Sequence, residues 1–156
     1  MQDYTALKDV IGICRAAEQG FRGAANSVKT PSLRSMFEQY SEQRGEFADE
    51  LIHAGRSLGL DIENPQGLSG MLHAGWMELK GALTGHSEHQ ILEETERGED
   101  LSLKTYRQAL NMSLNEEIRS ILQRQVAEIE SAHMRIRTMR DQTASEMTHD
   151  RTREAS

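Results

Sequence analysis

The chain has 156 residues and a formal net charge of −7, from 18 basic and 25 acidic side chains, and aromatic residues make up only 4% of it. The length suits one domain with a hydrophobic core, and the acidic balance argues against nucleic acid, whose phosphates need a basic face. No apolar run reaches the roughly 18–20 residues of a membrane span, and the opening MQDYTALKD lacks a signal-peptide pattern, so we expect neither membrane insertion nor binding to anionic lipid.

The first two predicted helices are joined by a very short turn. Apolar residues at alternating spacings of three and four predict a helix over about 3–28 and a second over about 32–58. Pro31 separates them, because proline is tolerated only in the first turn of a helix. The residues that share the inner face are Leu7, Ile11, Cys14, Phe21 and Ala25 in the first, and Leu33, Phe37, Tyr40, Phe47, Leu51, Ala54 and Leu58 in the second.

Three further helices are predicted after a polar linker. A short amphipathic helix over about 68–83 carries Trp76, which we expect to anchor it to the bundle. Long helices follow over about 87–112, with Ser87 as N-cap, and over about 115–140. The polar residues 142–156 have no apolar period, so we predict a domain over 1–141 and a disordered tail.

Four long helices of similar length predict an all-α four-helix bundle. The short turns make the first two and the last two long helices antiparallel neighbours. The long connection between the pairs allows a crossover, which leaves the second and third long helices parallel. This up-down-down-up order, with the short helix in the crossover, is the ferritin-like topology.

Polar residues interrupt the apolar stripe of each long helix. On a helical wheel, Glu18, Arg44 and Glu99 continue the stripes of their helices, Gln125 lies on the last stripe, and His133 flanks it. A buried charge is costly unless it is paired, so Glu18, Arg44, Glu99 and His133 should form one polar layer. In one interpretation, which we favour, Arg44 is the charge partner of Glu18 and Glu99. In the other, Glu18, Glu99 and His133 bind a metal.

Two Glu-x-x-His strings match the pairs used by di-metal bundles, but their helical positions argue against that use. Glu50 and His53 lie about 90° and 150° from the centre of their stripe, and Glu130 lies about 120° away. Only His133 of the second string approaches the core. We therefore expect surface positions for Glu50, His53 and Glu130.

Several strings resemble a bacterial family of ferritin-like four-helix-bundle proteins catalogued as a domain of unknown function. They are AEQGFR at 17–22, FEQY and RGEF at 37–47, GWMELKGALTG at 75–85, ERGED at 96–100 and HMRI at 133–136, and the resemblance covers about residues 4–141. It implies the ferritin-like fold and, from kin of that fold, a stress-associated role. It implies no defined activity.

The wider ferritin and rubrerythrin pattern implies a set of metal ligands that this chain matches only in part. Glu18 and Glu99 are similar to the glutamates of the first and third helices, and His133 to one ligand of the fourth. Arg44 and Phe47 stand where the second helix supplies its Glu-x-x-His. Because an arginine brings a permanent positive charge to this position, the comparison argues against a standard di-iron centre.

Our sequence-based hypothesis is a non-catalytic bundle protein without a cofactor, which could form homo-oligomers. The alternative is a divergent protein that binds iron or manganese and has ferroxidase-like or peroxide-handling activity. The single cysteine, Cys14, excludes an intrachain disulfide and is consistent with the reducing cytoplasm, where we expect the protein. Its place on a buried face predicts an inert thiol.

Overall fold

The computed structural model describes residues 2–62, 76 and 86–155, the last eleven by their backbone alone, and in this part of the chain all regular structure is helical. The helices are α1 (Asp3–Ser27), α2 (Pro31–Ser57), α3 (Glu88–Leu110) and α4 (Glu116–Ala155). The predicted all-α class is therefore confirmed. Apart from Trp76, the predicted short helix over 68–83 lies outside the described residues.

The boundaries of α1 and α2 fall within one residue of the predicted ones. Pro31 is the first residue of α2, and Thr30 precedes it as N-cap in an extended conformation. After α2, Gly59 has a φ of 80°. This left-handed conformation favours glycine and ends the helix.

The N-terminus of α3 carries a capping box. The Gln90 backbone N–H donates to Ser87 Oγ at 3.1 Å, and the Ser87 N–H donates to Gln90 Oε1 at 2.8 Å. The predicted N-cap at Ser87 is thus confirmed. At the other end, the Arg119 guanidinium donates to the Leu110 and Met112 carbonyls at 2.7 and 2.9 Å, which satisfies acceptors that the helix leaves open.

Helix α4 continues past Arg140, where the sequence predicted its end, to Ala155. The prediction relied on the loss of apolar periodicity, but polar contacts continue along the helix. Arg140 pairs with Glu96, and Thr143 bonds to His89 Nδ1 at 2.8 Å. The division into a domain over 1–141 and a disordered tail over 142–156 stays a prediction. No helix in the described ranges is long and apolar enough to cross a membrane.

Four pairs of helices pack antiparallel to each other. In each pair, residue numbers fall along one helix as they rise along the other. The contacts that define the order are Ser41–Glu18 and Arg15–Asp49 for α1 with α2, Cys14–Tyr106 and Gln2–Ser113 for α1 with α3, Tyr106–Gln125 and His89–Thr143 for α3 with α4, and Gln125–Glu50 with the Arg135–Tyr40 bond for α2 with α4.

The two ends of the bundle are fastened by polar contacts far apart in sequence. At one end, Thr30 Oγ1 donates to the Glu88 carboxylate at 2.8 Å. At the other, the Gln2 N–H donates to the Ser113 carbonyl at 2.7 Å, and the Asn115 N–H donates to Asp3 Oδ1 at 2.8 Å. The apolar core lies between these ends and includes all five inner-face residues predicted for α1.

Candidate functional site

A buried ion pair lies near the middle of the bundle. Arg44 of α2 and Glu99 of α3 both have side chains with 0% exposure. The guanidinium donates through Nη1 to Glu99 Oε1 and through Nη2 to Oε2, the latter at 2.6 Å. The Arg44 Nε donates to Gln43 at 3.2 Å, and Cζ lies 5.3 Å from the centre of the Phe21 ring. This bidentate contact, with the guanidinium over an aromatic ring, suits arginine and could not be reproduced by lysine.

The charge state of Arg44 follows from two opposing effects. Burial alone would lower the pKa of the guanidinium, because it penalises the charged form, but the charge of Glu99 and its hydrogen bonds raise the pKa above its ordinary value. Arg44 therefore stays positively charged. The predicted partnership between Arg44 and Glu99 is present.

A second buried network joins all four helices beside this pair. Tyr106 OH donates to Gln125 Oε1 at 2.7 Å, so its oxygen accepts from the Cys14 thiol at 3.1 Å. Gln125 Nε2 donates to the Phe47 carbonyl at 3.4 Å and to Glu50 Oε1 at 2.8 Å. The network thus connects a thiol in the core to a carboxylate at the surface.

The two buried ionisable groups of this network, Cys14 and Tyr106, are neutral near neutral pH. Burial raises the pKa of the Cys14 thiol to about 11. Burial also raises the pKa of Tyr106 well above its ordinary value, and the neighbouring Cys14 adds to the shift. The predicted burial of Cys14 is confirmed. Because the thiolate is the nucleophile, the raised pKa supports the prediction of an inert thiol.

Glu18 does not join the pair of Arg44 and Glu99. Its side chain is 22% exposed and pairs with Arg15 at 3.4 Å. The carboxylate covers Gly45 of α2 so closely that a Cβ at that position would collide with it. The expectation that Arg44 would also pair with Glu18 is wrong. Although Glu18 continues the predicted stripe of α1, its long side chain turns to the groove between α1 and α2.

His133 also has a partner of its own, outside the core. Its side chain is 17% exposed, and Nε2 lies 2.7 Å from Asp100 Oδ1 and 3.9 Å from Glu96 Oε1. Glu96 in turn pairs with Arg140. The structure therefore places Glu18, Glu99 and His133 in three separate sets of contacts. Within the described ranges, no three His, Cys, Asp or Glu side chains are grouped so that they could hold a metal ion.

The residues of the two Glu-x-x-His strings lie where the helical wheel predicted, but Glu50 also has a contact with the core that was not predicted. His53 and Glu130 are exposed, and Glu130 pairs with Arg107. Glu50 is partly exposed but also accepts from the buried Gln125 and pairs with Arg124. Sequence reasoning missed this role, and the one available signal was the amide of Gln125 on an apolar stripe, which required a polar partner.

Trp76 fills a slot between α1 and α3. Its side chain is fully buried, its ring centroid lies 4.8 Å from that of Phe21, and its Nε1 donates to Ser102 Oγ at 3.3 Å. Gly20 and Gly98 form the walls of the slot. The expectation that Trp76 contacts the bundle is thus confirmed.

An open groove of about 650 Å³ runs along the seam between α2 and α4. Carboxylates dominate its lining, with Arg124 as its one cation among the described residues. Three residues of the lining take part in the two buried networks. Gln43 accepts from Arg44, and Gln125 donates to the Phe47 carbonyl and to Glu50. The carboxylates of the lining are Glu42, Glu46, Glu50 and Glu128.

A comparison with protein-family models finds a match. The model described as "Domain of unknown function (DUF2383)" matches residues 2–112, which contain α1, α2 and α3. A search of curated proteins finds no match. The helix that completes the bundle, α4, follows the matched residues.

Proposed function

The chain belongs to the DUF2383 family, and we propose that it is a ferritin-like bundle protein without catalytic activity, in which a buried arginine–glutamate pair holds the helices together where related bundles bind metal. The observation that carries this proposal is the fully buried, bidentate contact between Arg44 and Glu99. The bundle would then act through its surface, as a homo-oligomer or with a protein partner.

The order of the contacts between helices supports the ferritin-like topology. Helix α1 runs antiparallel to both α2 and α3, and α4 runs antiparallel to both of them as well. The directions are then up, down, down and up, which requires one long crossover between α2 and α3. The 30 residues between Ser57 and Glu88 supply the necessary length.

The charge of Arg44 opposes a cation beside Glu99. Both oxygens of Glu99 accept from the guanidinium. At an effective dielectric constant of about 20, a unit charge about 4 Å from Arg44 would be repelled by about 4 kcal/mol, and a divalent ion by about twice that. The residues present therefore do not fit a di-metal centre, since a metal would have to displace Arg44 from its only described carboxylate partner.

The chemistry of the neighbouring groups also supports a role without catalysis. Cys14 and Tyr106 are buried and neutral, and each is held by a hydrogen bond to the other. A nucleophile or general base needs access to a substrate and a pKa near the working pH. Gln125 satisfies the remaining hydrogen bond of Tyr106, so the network is complete without a ligand.

Metal binding is the decisive test. The protein is purified without chelator or affinity metal, analysed for metal content, and titrated anaerobically with ferrous iron. We expect less than stoichiometric metal in the parent chain and no change in the variants Glu18→Gln and Glu99→Gln. The control variant Glu42→Gln removes a groove carboxylate that has no part in the buried pair.

Stoichiometric iron or manganese in the parent would contradict the proposal if Glu18→Gln or Glu99→Gln lost it while Glu42→Gln kept it. That result would make the protein a divergent metalloprotein, and assays of ferrous oxidation and peroxide consumption would follow. Metal retained in all three variants would indicate a weak surface site and would leave the buried pair as a structural element.

A further inference from the structure

Trp76 is held in the bundle as a ligand is held in a binding site. It is the only tryptophan of the chain and lies in the connection between α2 and α3. Its indole is fully buried and has both an aromatic neighbour, Phe21, and a polar one, Ser102. The indole N–H is therefore satisfied inside the core, as a buried tryptophan requires.

The slot exists because two facing helices have glycine at the same level. A Cβ at Gly98 of α3 would lie 2.5 Å from two atoms of the indole ring, and a Cβ at Gly20 of α1 would collide with the ring as well. The atoms met are those of a rigid, fully enclosed ring, which cannot move aside. Any residue larger than glycine at either position is thus incompatible with the indole in this place.

Ser102 completes the slot as a specific polar contact. Its hydroxyl donates to the Gly98 carbonyl at 3.3 Å, which leaves the oxygen free to accept from Trp76 Nε1. The slot therefore combines flat apolar walls with one hydrogen-bond acceptor. These features match a bicyclic aromatic molecule that carries one N–H donor.

The slot lies next to the buried ion pair. Phe21 lies between the two, with its ring 4.8 Å from the Trp76 ring and 5.3 Å from Arg44 Cζ. On the other helix, Gly98 touches the indole and the next residue, Glu99, accepts from Arg44. Loss of the indole would therefore leave a void against both supports of the pair.

We propose that Trp76 is an intramolecular ligand of an indole-binding slot between α1 and α3, and that occupancy of this slot keeps the Arg44–Glu99 pair in its bidentate geometry. Trp76 thus attaches the connection between α2 and α3 to the bundle. This coupling does not depend on whether the protein binds metal.

The first experiment empties the slot and refills it from solution. In Trp76→Ala, free indole should bind with 1:1 stoichiometry by calorimetry and raise the melting temperature by several degrees, while the parent should show neither effect. Amide hydrogen exchange around Arg44 and Glu99 should be faster in the variant and slow again when indole is added. If Trp76→Ala is folded but does not bind indole, the proposed indole-binding slot is wrong. If added indole does not slow the amide exchange around Arg44 and Glu99, the proposed coupling is wrong.

If Trp76→Ala does not fold, a second experiment tests the slot in a chain that keeps Trp76. Gly98→Ala should expel the indole, which moves the tryptophan emission to longer wavelength and increases its quenching by acrylamide. Gly45→Ala is the matched control, since the Cβ added there meets only the partly exposed Glu18 side chain. Unchanged emission in Gly98→Ala would overturn the proposal, and so would an equal shift in Gly45→Ala.

Discussion

Replacing one partner of the buried pair should be far more damaging than replacing both. In Arg44→Met, the Glu99 carboxylate stays in the core without its two guanidinium hydrogen bonds. In Glu99→Leu, the Arg44 guanidinium is left with the amide of Gln43 and the face of Phe21. In the double variant no charge is buried, and two apolar side chains of similar volume fill the space.

The size of these effects follows from the burial of the pair. Both side chains have 0% exposure, so solvent cannot compensate the charge that is left behind. Breaking a buried pair in this way costs about 3–5 kcal/mol, whereas an apolar replacement of both partners is often neutral or stabilising. At about 2–4 °C for each kcal/mol in a domain of this size, each single variant should melt about 6–20 °C lower.

Urea unfolding followed by far-UV circular dichroism measures the free energy of unfolding for the parent, both single variants and the double variant. We expect the double variant within about 1 kcal/mol of the parent or above it. Arg97→Met is the matched control, because Arg97 forms an exposed pair with Glu94 and should change stability by less than about 1 kcal/mol. The reasoning is refuted if Arg44→Met behaves like this control, or if the two single losses simply add in the double variant.

Three further variants test the neighbouring features. Burial raises the pKa of the Cys14 thiol to about 11, whereas the pKa of an unfolded thiol is near 9.0. As the pH rises, the unfolded state therefore loses its thiol proton first, and the free energy of unfolding should fall by about 2–3 kcal/mol between pH 9 and 11. Urea unfolding at each pH should show a smaller fall for Cys14→Ala, and equal falls in the parent and the variant would contradict this. Tyr106→Phe removes the hydroxyl that bonds to both Cys14 and Gln125, and it should lower the free energy of unfolding by about 1–3 kcal/mol in the same assay. The control is Tyr4→Phe, which should change it little because the Tyr4 side chain is half-exposed. Ser87→Ala removes the α3 cap and should cost about 1 kcal/mol, with faster amide exchange at Gln90; unchanged exchange there would count against a working cap.

The sequence predicted the helices well because their ends carry local signals. Pro31, Gly59 and Ser87 mark boundaries through backbone chemistry that needs no tertiary contact. The end of α4 lacks such a signal. Its predicted stop relied on apolar periodicity, but a helix can continue on polar contacts such as the one between Thr143 and His89.

The polar layer was predicted correctly only in part. Arg44 and Glu99 continue their stripes and are buried together. Glu18 also continues its stripe and His133 flanks its own, yet both side chains have partners outside the core. A helical wheel gives the direction of Cβ but not the final position of a side-chain end. Gln125 was singled out, but its partners on α2 and α3 depend on the tertiary arrangement.

The bonds between Gln2 and Ser113 have a consequence for synthesis on the ribosome. The turn between α1 and α2 is short, so this helical hairpin can form soon after it emerges. Yet Gln2 and Asp3 meet their partners, Ser113 and Asn115, only after more than one hundred further residues have been made. At about 5–20 residues per second this delay lasts on the order of 5–20 s. The hairpin of α1 and α2 can thus form early, whereas its first turn is anchored only after α3 has left the exit tunnel.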